Sequence, residues 1–132
     1  MDLYNASMGE EMPEQIELTL EQYEEAKQHY QGIIDRADAA RRLADNPDFK
    51  MLVLDGYFIN EPKRLAELMA SGRLNQTTLD NCSREMAAIG AFRNYMKMHI
   101  EQGNLAKDEL VGLEEAREEA ILAEEAAQAA AG

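Results

Sequence analysis

The sequence contains no tryptophan, one cysteine, three phenylalanines and five tyrosines among its 132 residues. A single cysteine, Cys82, excludes an internal disulfide and cannot form a cysteine zinc site, so we interpret it as a small buried apolar residue. Much of the 45% hydrophobic content is alanine, which makes burial per residue modest. The length is typical of one domain, which can gain stability by association.

Long apolar runs are also missing. None approaches the roughly 20 residues that a membrane-spanning helix needs, and the first residues lack the basic and then apolar pattern of a signal peptide. We therefore expect no membrane attachment and a location in the cytoplasm where the protein is made.

Basic residues are scarce at both ends of the chain. Residues 1–26 hold eight acidic residues and no Lys or Arg, and residues 105–132 hold eight acidic residues against Lys107 and Arg117. Residues 27–104 are balanced, with eleven basic and ten acidic residues. Because phosphate binding needs clustered Lys or Arg, this pattern argues against direct nucleic-acid binding.

Catalytic and metal-binding patterns are absent from the sequence. His29 and His99 fall on different predicted helices, and neither has a second His or Cys at metal-ligand spacing. The acidic pairs, such as Glu114 and Glu115, are typical of a solvated helix surface. We predict no catalytic residues, no metal site and no cofactor, and hence a protein that is not an enzyme.

Helix signals begin near residue 19. Residues 1–17 have no sustained apolar period and predict a flexible acidic arm. Thr19 and Gln22 have the spacing of a capping box, which predicts a helix over 20–45. The apolar residues of this helix step by three and four, as in a coiled-coil seam: Tyr23, Ala26, Tyr30, Ile33, Ala37, Ala40 and Ala44. Asn46 and Pro47 end it.

The next segment is the richest in apolar and aromatic residues. Its pattern favours a short helix over 47–54 with Gly56 as a left-handed stop, and a strand over Met51–Leu54 is the alternative. Asn60 is expected to cap a further helix that ends at Ser71 and Gly72.

A long helix is predicted from a cap at Thr77 or Thr78 to Gly103, with an apolar face wide enough for two neighbours. Gly103 and Asn104 predict a short turn into a fifth helix from about residue 105. The expected fold is all-α: a small antiparallel helical bundle or hairpin with coiled-coil-like seams. We predict a single helical domain over 18–122 and an alanine-rich acidic tail, 123–132, that extends the last helix.

Aromatic and methionine residues are the candidates for protein contact. Phe49, Tyr57 and Phe58 either bury a bend between helices or serve as anchors for a partner. The methionines at helical spacing suggest core filling more than a binding groove. The interaction candidates are Phe49, Tyr57, Phe58, Met86, Phe92, Tyr95 and Met96.

Part of the sequence resembles small helical proteins of tailed, podovirus-like bacteriophages. The resemblance rests on Leu43–Lys50, on Leu54–Phe58, on 61–68 and on the Ile89-Gly90-Ala91-Phe92-Arg93 motif with Tyr95 and Met96, and it covers roughly residues 40–100. Such proteins are short and acidic and tend to be encoded among virion and assembly genes. The resemblance implies a role in a viral particle and carries no catalytic residues.

Two functions follow from these observations. The first is a structural or assembly protein of a bacteriophage particle that docks on a capsid, portal or tail component or forms a homo-oligomer, located in the host cytoplasm and then in the virion. The second is an acidic inhibitor that imitates DNA and binds a host nucleic-acid enzyme. The balanced charge of the middle of the chain favours the first.

Overall fold

A computed structural model of the chain describes residues 18–131, and these residues are all-α. Three continuous helical stretches follow one another: α1 spans Leu20–Asp45, α2 spans residues 47–70 and α3 spans Gln76–Ala131. Within this range there is no strand, so the predicted all-α class is confirmed and the strand alternative for Met51–Leu54 is wrong. The predicted arm, 1–17, lies outside the described residues.

The boundaries of α1 agree with the predicted 20–45. The backbone N–H of Gln22 donates to Thr19 Oγ1 at 3.1 Å, and the N–H of Thr19 donates to Gln22 Oε1 at 3.2 Å. These two bonds form the expected capping box. At the other end, Asn46 Oδ1 accepts the N–H groups of Asp48 and Phe49 at 3.0 Å each, so the residue that follows α1 also caps α2.

α2 runs without the interruption predicted at Gly56. It is α-helical over Pro47–Phe49, π-helical over Lys50–Asn60 and α-helical over Glu61–Ala70. Gly56 does not have a positive φ. A Cβ atom at this position would lie 3.0 Å from the Met51 carbonyl oxygen. Glycine therefore relieves crowding inside the π-helix and does not end a helix.

Two further predicted caps are also wrong. Asn60 has helical dihedral angles, with φ −71° and ψ −39°, and makes no capping hydrogen bond. The cap of α3 is Asn75, whose Oδ1 accepts the N–H of Thr78 at 2.9 Å, and neither Thr77 nor Thr78 takes this role because both lie inside the helix. Asparagine is among the best N-cap residues, so Asn75 caps α3 in preference to either threonine.

The end of α2 agrees with the prediction. Ser71 Oγ donates to the Leu68 carbonyl oxygen at 2.7 Å. Gly72 has φ +72°, the left-handed conformation that glycine adopts at little cost. The chain then crosses Arg73–Asn75 and enters α3.

α3 is one helix where two were predicted. The backbone stays helical through Gly103 and Asn104 as far as Ala131, so the predicted turn is wrong. Gly103 is buried, and a Cβ atom built on it would lie 2.1 Å from Ala37 Cβ. This glycine allows α1 and α3 to approach closely, and the gain in packing compensates for its poor helix propensity. Residues 123–131 continue the helix with exposed side chains.

The described residues form two compact units. The first contains 18–32 and 105–131; there Arg117 Nη1 donates to the Leu18 carbonyl oxygen at 3.4 Å. The second contains 33–104 and holds the main apolar cluster, in which α2 packs on the first half of α3. The buried members of this cluster are Phe58, Leu65, Cys82 and Ile89. The expected burial of Cys82 is therefore confirmed.

Candidate protein-interaction surface

Three aromatic rings of the second unit pack together where α2 crosses α3. The ring centroids of Phe58 and Phe92 are 5.4 Å apart, and those of Tyr57 and Phe92 are 6.4 Å apart in an edge-to-face arrangement. Both separations lie in the range that favours aromatic pairs. The pairs fix the Tyr57 and Phe92 rings at the surface while Phe58 fills the core.

The aromatic surface continues along α3. Tyr95 lies one helical turn after Phe92, and its ring makes an edge-to-face contact with His99 at 4.4 Å. Tyr95 and His99 also line a shallow groove of about 210 Å³ between α3 and the end of α1, together with Leu43. We refer to Leu43, Tyr57, Phe92, Tyr95 and His99 as the aromatic face.

The lining of the groove is mainly apolar and includes one cation. Ala39 and Ala40 contribute to the lining, and so does Arg36, whose side chain is exposed. No carboxylate lines it among the described residues. The groove is therefore largely apolar with one positive charge in its lining, which suits an apolar side chain with neutral or acidic surroundings.

The seven predicted interaction residues differ in their exposure. Phe58 is buried, and Met86 and Met96 are half-buried against the core cluster, so these three fill the core. Phe49 is half-buried. Tyr57, Phe92 and Tyr95 are 38%, 43% and 57% exposed. The structure thus brings three of the seven together on the aromatic face, and their role in binding stays a prediction.

Sequence reasoning missed Leu43 and His99 as parts of this surface. It also missed Met51, Leu52 and Ile59, which are exposed on α2. The sequence did indicate that residues of this α2 segment would be exposed, since seven of the nine residues from Met51 to Ile59 are apolar or aromatic. One side of a helix cannot bury so many, so some of them had to face outward.

The electrostatics of the α2 surface include one well-formed ion pair. Arg64 Nε donates to Glu61 Oε1 and Oε2 at 3.1 and 3.2 Å. This hydrogen bond, together with the Arg64 charge, lowers the pKa of Glu61 below its ordinary value. The same pair raises the pKa of Arg64. Both side chains are on the surface, so the pair contributes little to stability.

Among residues 18–131, no three His, Cys, Asp or Glu side chains lie close enough together to hold a metal ion. None of the described helices is long and apolar enough to cross a membrane. No protein-family model, curated protein or solved structure matches this chain.

Proposed function

We propose that this protein is a non-enzymatic structural or assembly protein of a bacteriophage particle, which docks on a larger particle protein through the aromatic face. The exposure of Tyr57, Phe92 and Tyr95 on two helices, with Tyr95 in the lining of the apolar groove, carries this proposal. Aromatic residues are enriched at protein interfaces, where they supply large contact areas at low entropic cost. Exposed clusters of them mark interaction sites.

The viral setting of the proposal comes from the resemblance of residues 40–100 to helical phage proteins. Phe92 and Tyr95 belong to the motif that carries the resemblance, and Leu43 begins its first segment. The partner would be a capsid, portal or tail component, met first in the host cytoplasm and then in the particle. A partner surface with apolar side chains and net negative charge would complement the groove and Arg36.

An antiparallel hairpin of α1 and α3 with a close-packed seam is part of the same proposal. Ala37 lies against Gly103, Arg41 hydrogen-bonds Asn104, and Leu43 lies beside Tyr95 and Met96. Between the first and last of these contacts the α1 residue number rises from 37 to 43 while the α3 residue number falls from 103 to 95, as in antiparallel packing. Such a hairpin would hold the two walls of the groove at a fixed spacing.

Site-specific cross-linking tests the docking. A photoreactive phenylalanine analogue is placed at Tyr95 in infected cells, and a matched control has it at Ser83, which is exposed on the same helix outside the aromatic face. We expect the Tyr95 position to cross-link to one capsid, portal or tail protein and the Ser83 position to give no such product. Equal products from both positions, or none from purified particles and assembly intermediates, would contradict the proposal.

One observation supports the DNA-mimic alternative: the eight acidic residues of 105–131 lie on an ordered helix. The spacing of these acidic residues along the helix still argues against DNA mimicry. The acidic residues run from Asp108 to Glu125, a length of about 26 Å at 1.5 Å per residue. This gives roughly one acidic residue per 3 Å, whereas duplex DNA carries one charge per about 1.7 Å. Binding to a host nuclease or polymerase that is lost at high salt would support this alternative over particle incorporation.

A further inference from the structure

The first half of α2 contains two alternative apolar stripes. Lys50–Asn60, which we call the π segment, is π-helical, and at its end the N–H of Glu61 donates to the Gly56 carbonyl oxygen five residues back. A helix with such bonds has roughly four to five residues per turn, whereas an α-helix has about 3.6. The two windings therefore turn different side chains of the same segment towards α3.

The π winding accounts for the observed exposure of the side chains. Phe58 is buried, and Val53 and Leu54, five and four residues earlier, pack against the core cluster. Phe49, nine residues before Phe58, is half-buried. Met51 lies on the other side of the helix and is 61% exposed. In an α-helix, residues nine apart lie on opposite sides, so only the π winding turns both phenylalanines the same way.

An α winding of the same residues would turn a different stripe inward. Met51, Leu54 and Phe58 have the three- and four-residue spacing of one α-helical face. Phe49 and Val53 would lie off that face. Rewinding therefore moves Met51 from solvent towards α3 and moves Phe49 and Val53 outward.

The second half of α2 is fixed, whereas the first half is free to rotate. Leu65 is 1% exposed in the core cluster and holds the second half on α3. None of residues 45–57 is buried, and the one extended residue between α1 and α2 is Asn46, with ψ 124°. A rotation that starts at Asn60 and accumulates towards Pro47 therefore moves no buried side chain that precedes Phe58.

Gly56 favours the π winding. With this winding, a Cβ atom at position 56 would lie 3.0 Å from the Met51 carbonyl oxygen, which is closer than ordinary contact. In an α winding the same methyl group would stabilise the helix, because alanine has a higher helix propensity than glycine. An alanine at this position would therefore disfavour the π winding and favour the α winding.

We infer that the π segment is a conformational switch between these two windings. In the π winding Phe49 and Val53 face α3 and Met51 is exposed, and in the α winding their positions are exchanged. A regulatory transition needs an element with two discrete packed arrangements, and a partner that binds Phe49 selects the α winding. The switch leaves Phe92 and Tyr95 in place on α3, so it goes beyond docking through the aromatic face.

Thiol labelling of cysteine reporters in the full chain distinguishes the two windings. The reporters are Met51→Cys and Val53→Cys, and the buried Cys82 is an internal reference that reacts only on unfolding. We expect Met51→Cys to react faster than Val53→Cys, because Met51 is the more exposed. Adding Gly56→Ala should reverse this order. Gly90→Ala is the matched control, since its methyl group meets no atom within 4 Å, and it should leave both rates unchanged.

A second pair of variants tests the switch without changing Gly56. Phe49→Ala removes a side chain that only the π winding turns towards α3, so it should slow the labelling of Met51→Cys. Ile59→Ala, which shortens an exposed side chain of the same segment, should leave that rate unchanged.

Two results would overturn the inference. The first is an unchanged order of labelling in the Gly56→Ala chain, or an unchanged Met51→Cys rate in the Phe49→Ala chain, while Cys82 stays unreactive. The second is a rise at both reporters together with Cys82, which would show unfolding in place of rewinding. Neither result would affect the Tyr95 cross-linking.

Discussion

Replacing Gly103 by alanine should destabilise the protein, although glycine-to-alanine changes inside helices normally stabilise. A Cβ atom at this position would lie 2.1 Å from the Cβ of Ala37, a fully buried residue. That distance is far below van der Waals contact, so α1 and α3 must separate or shift. Overpacking of this kind costs up to about 3 kcal/mol, and the improved helix propensity returns about 1 kcal/mol. We expect a net loss of about 2 kcal/mol.

Two further variants isolate the close contact as the cause. Gly90→Ala, in the same helix and the same unit, places its new methyl group where no atom lies within 4 Å, so it should stabilise by about 1 kcal/mol. The double variant Ala37→Gly with Gly103→Ala moves the single methyl group from one helix to the other. Its Cβ would then lie 3.6 Å from the Cα of residue 37, an ordinary contact, and stability should return to within about 1 kcal/mol of the wild type.

Urea unfolding followed by circular dichroism at 222 nm measures these differences. For a chain of this size a loss of 2 kcal/mol lowers the unfolding midpoint by about 1 M. The reasoning is refuted if Gly103→Ala stabilises the protein as much as Gly90→Ala does. It is also refuted if the Ala37→Gly change fails to rescue Gly103→Ala, because the loss would then arise from something other than the contact between the two residues.

Three other outcomes follow from the contacts. Leu65→Ala should lower the free energy of unfolding by about 3 kcal/mol, because Leu65 is 1% exposed in the core cluster and its truncation leaves a cavity. Urea unfolding measures this loss, and a value below about 1 kcal/mol would contradict the placement of Leu65 in the core. Asn46→Ala should cost about 1 kcal/mol, since two N–H groups at the start of α2 lose their acceptor, whereas Asn46→Asp should retain most of the stability. Because Arg64 lowers the pKa of Glu61, the unfolded state binds more protons there as the pH falls. The contribution of the ion pair to stability is therefore complete above the ordinary carboxyl pKa and is lost as the pH falls towards the lowered pKa. The small stability difference between the wild type and Glu61→Gln should therefore shrink as the pH falls through the lowered pKa, and a difference that grows in acid would contradict this sign.

Local hydrogen bonds explain why several boundaries could be predicted. The start of α1 depends on Thr19 and Gln22, which are three residues apart and bond each other whatever the rest of the chain does. The stop at Ser71 and Gly72 is equally local. The stripe of α1 was also predictable, because each of its residues from Tyr23 to Ala44 is buried or half-buried as the three-four spacing required.

The glycines show where local rules are insufficient. Gly56, Gly72 and Gly103 all follow apolar helical segments, and all three were expected to end or interrupt a helix. Only Gly72 adopts a positive φ. The cost of a glycine inside a helix is about 1 kcal/mol, which is less than the burial of one large apolar side chain contributes. At Gly103 the close approach of Ala37 outweighs the local preference, whereas the stop at Gly72 follows it.

The composition of this sequence and its local helix signals were enough to predict that the described residues are all-α and where α1 begins and ends. They also showed that the negative charge is concentrated at the two ends of the chain. Only the tertiary structure decided that Gly103 lies against Ala37 inside a continuous α3, and that Tyr57, Phe92 and Tyr95 stay at the surface while Phe58 is buried. The physical reason is the range of the forces. Caps act over three or four residues of one chain segment, whereas exposure and close approach depend on which residues of a distant helix occupy the same space.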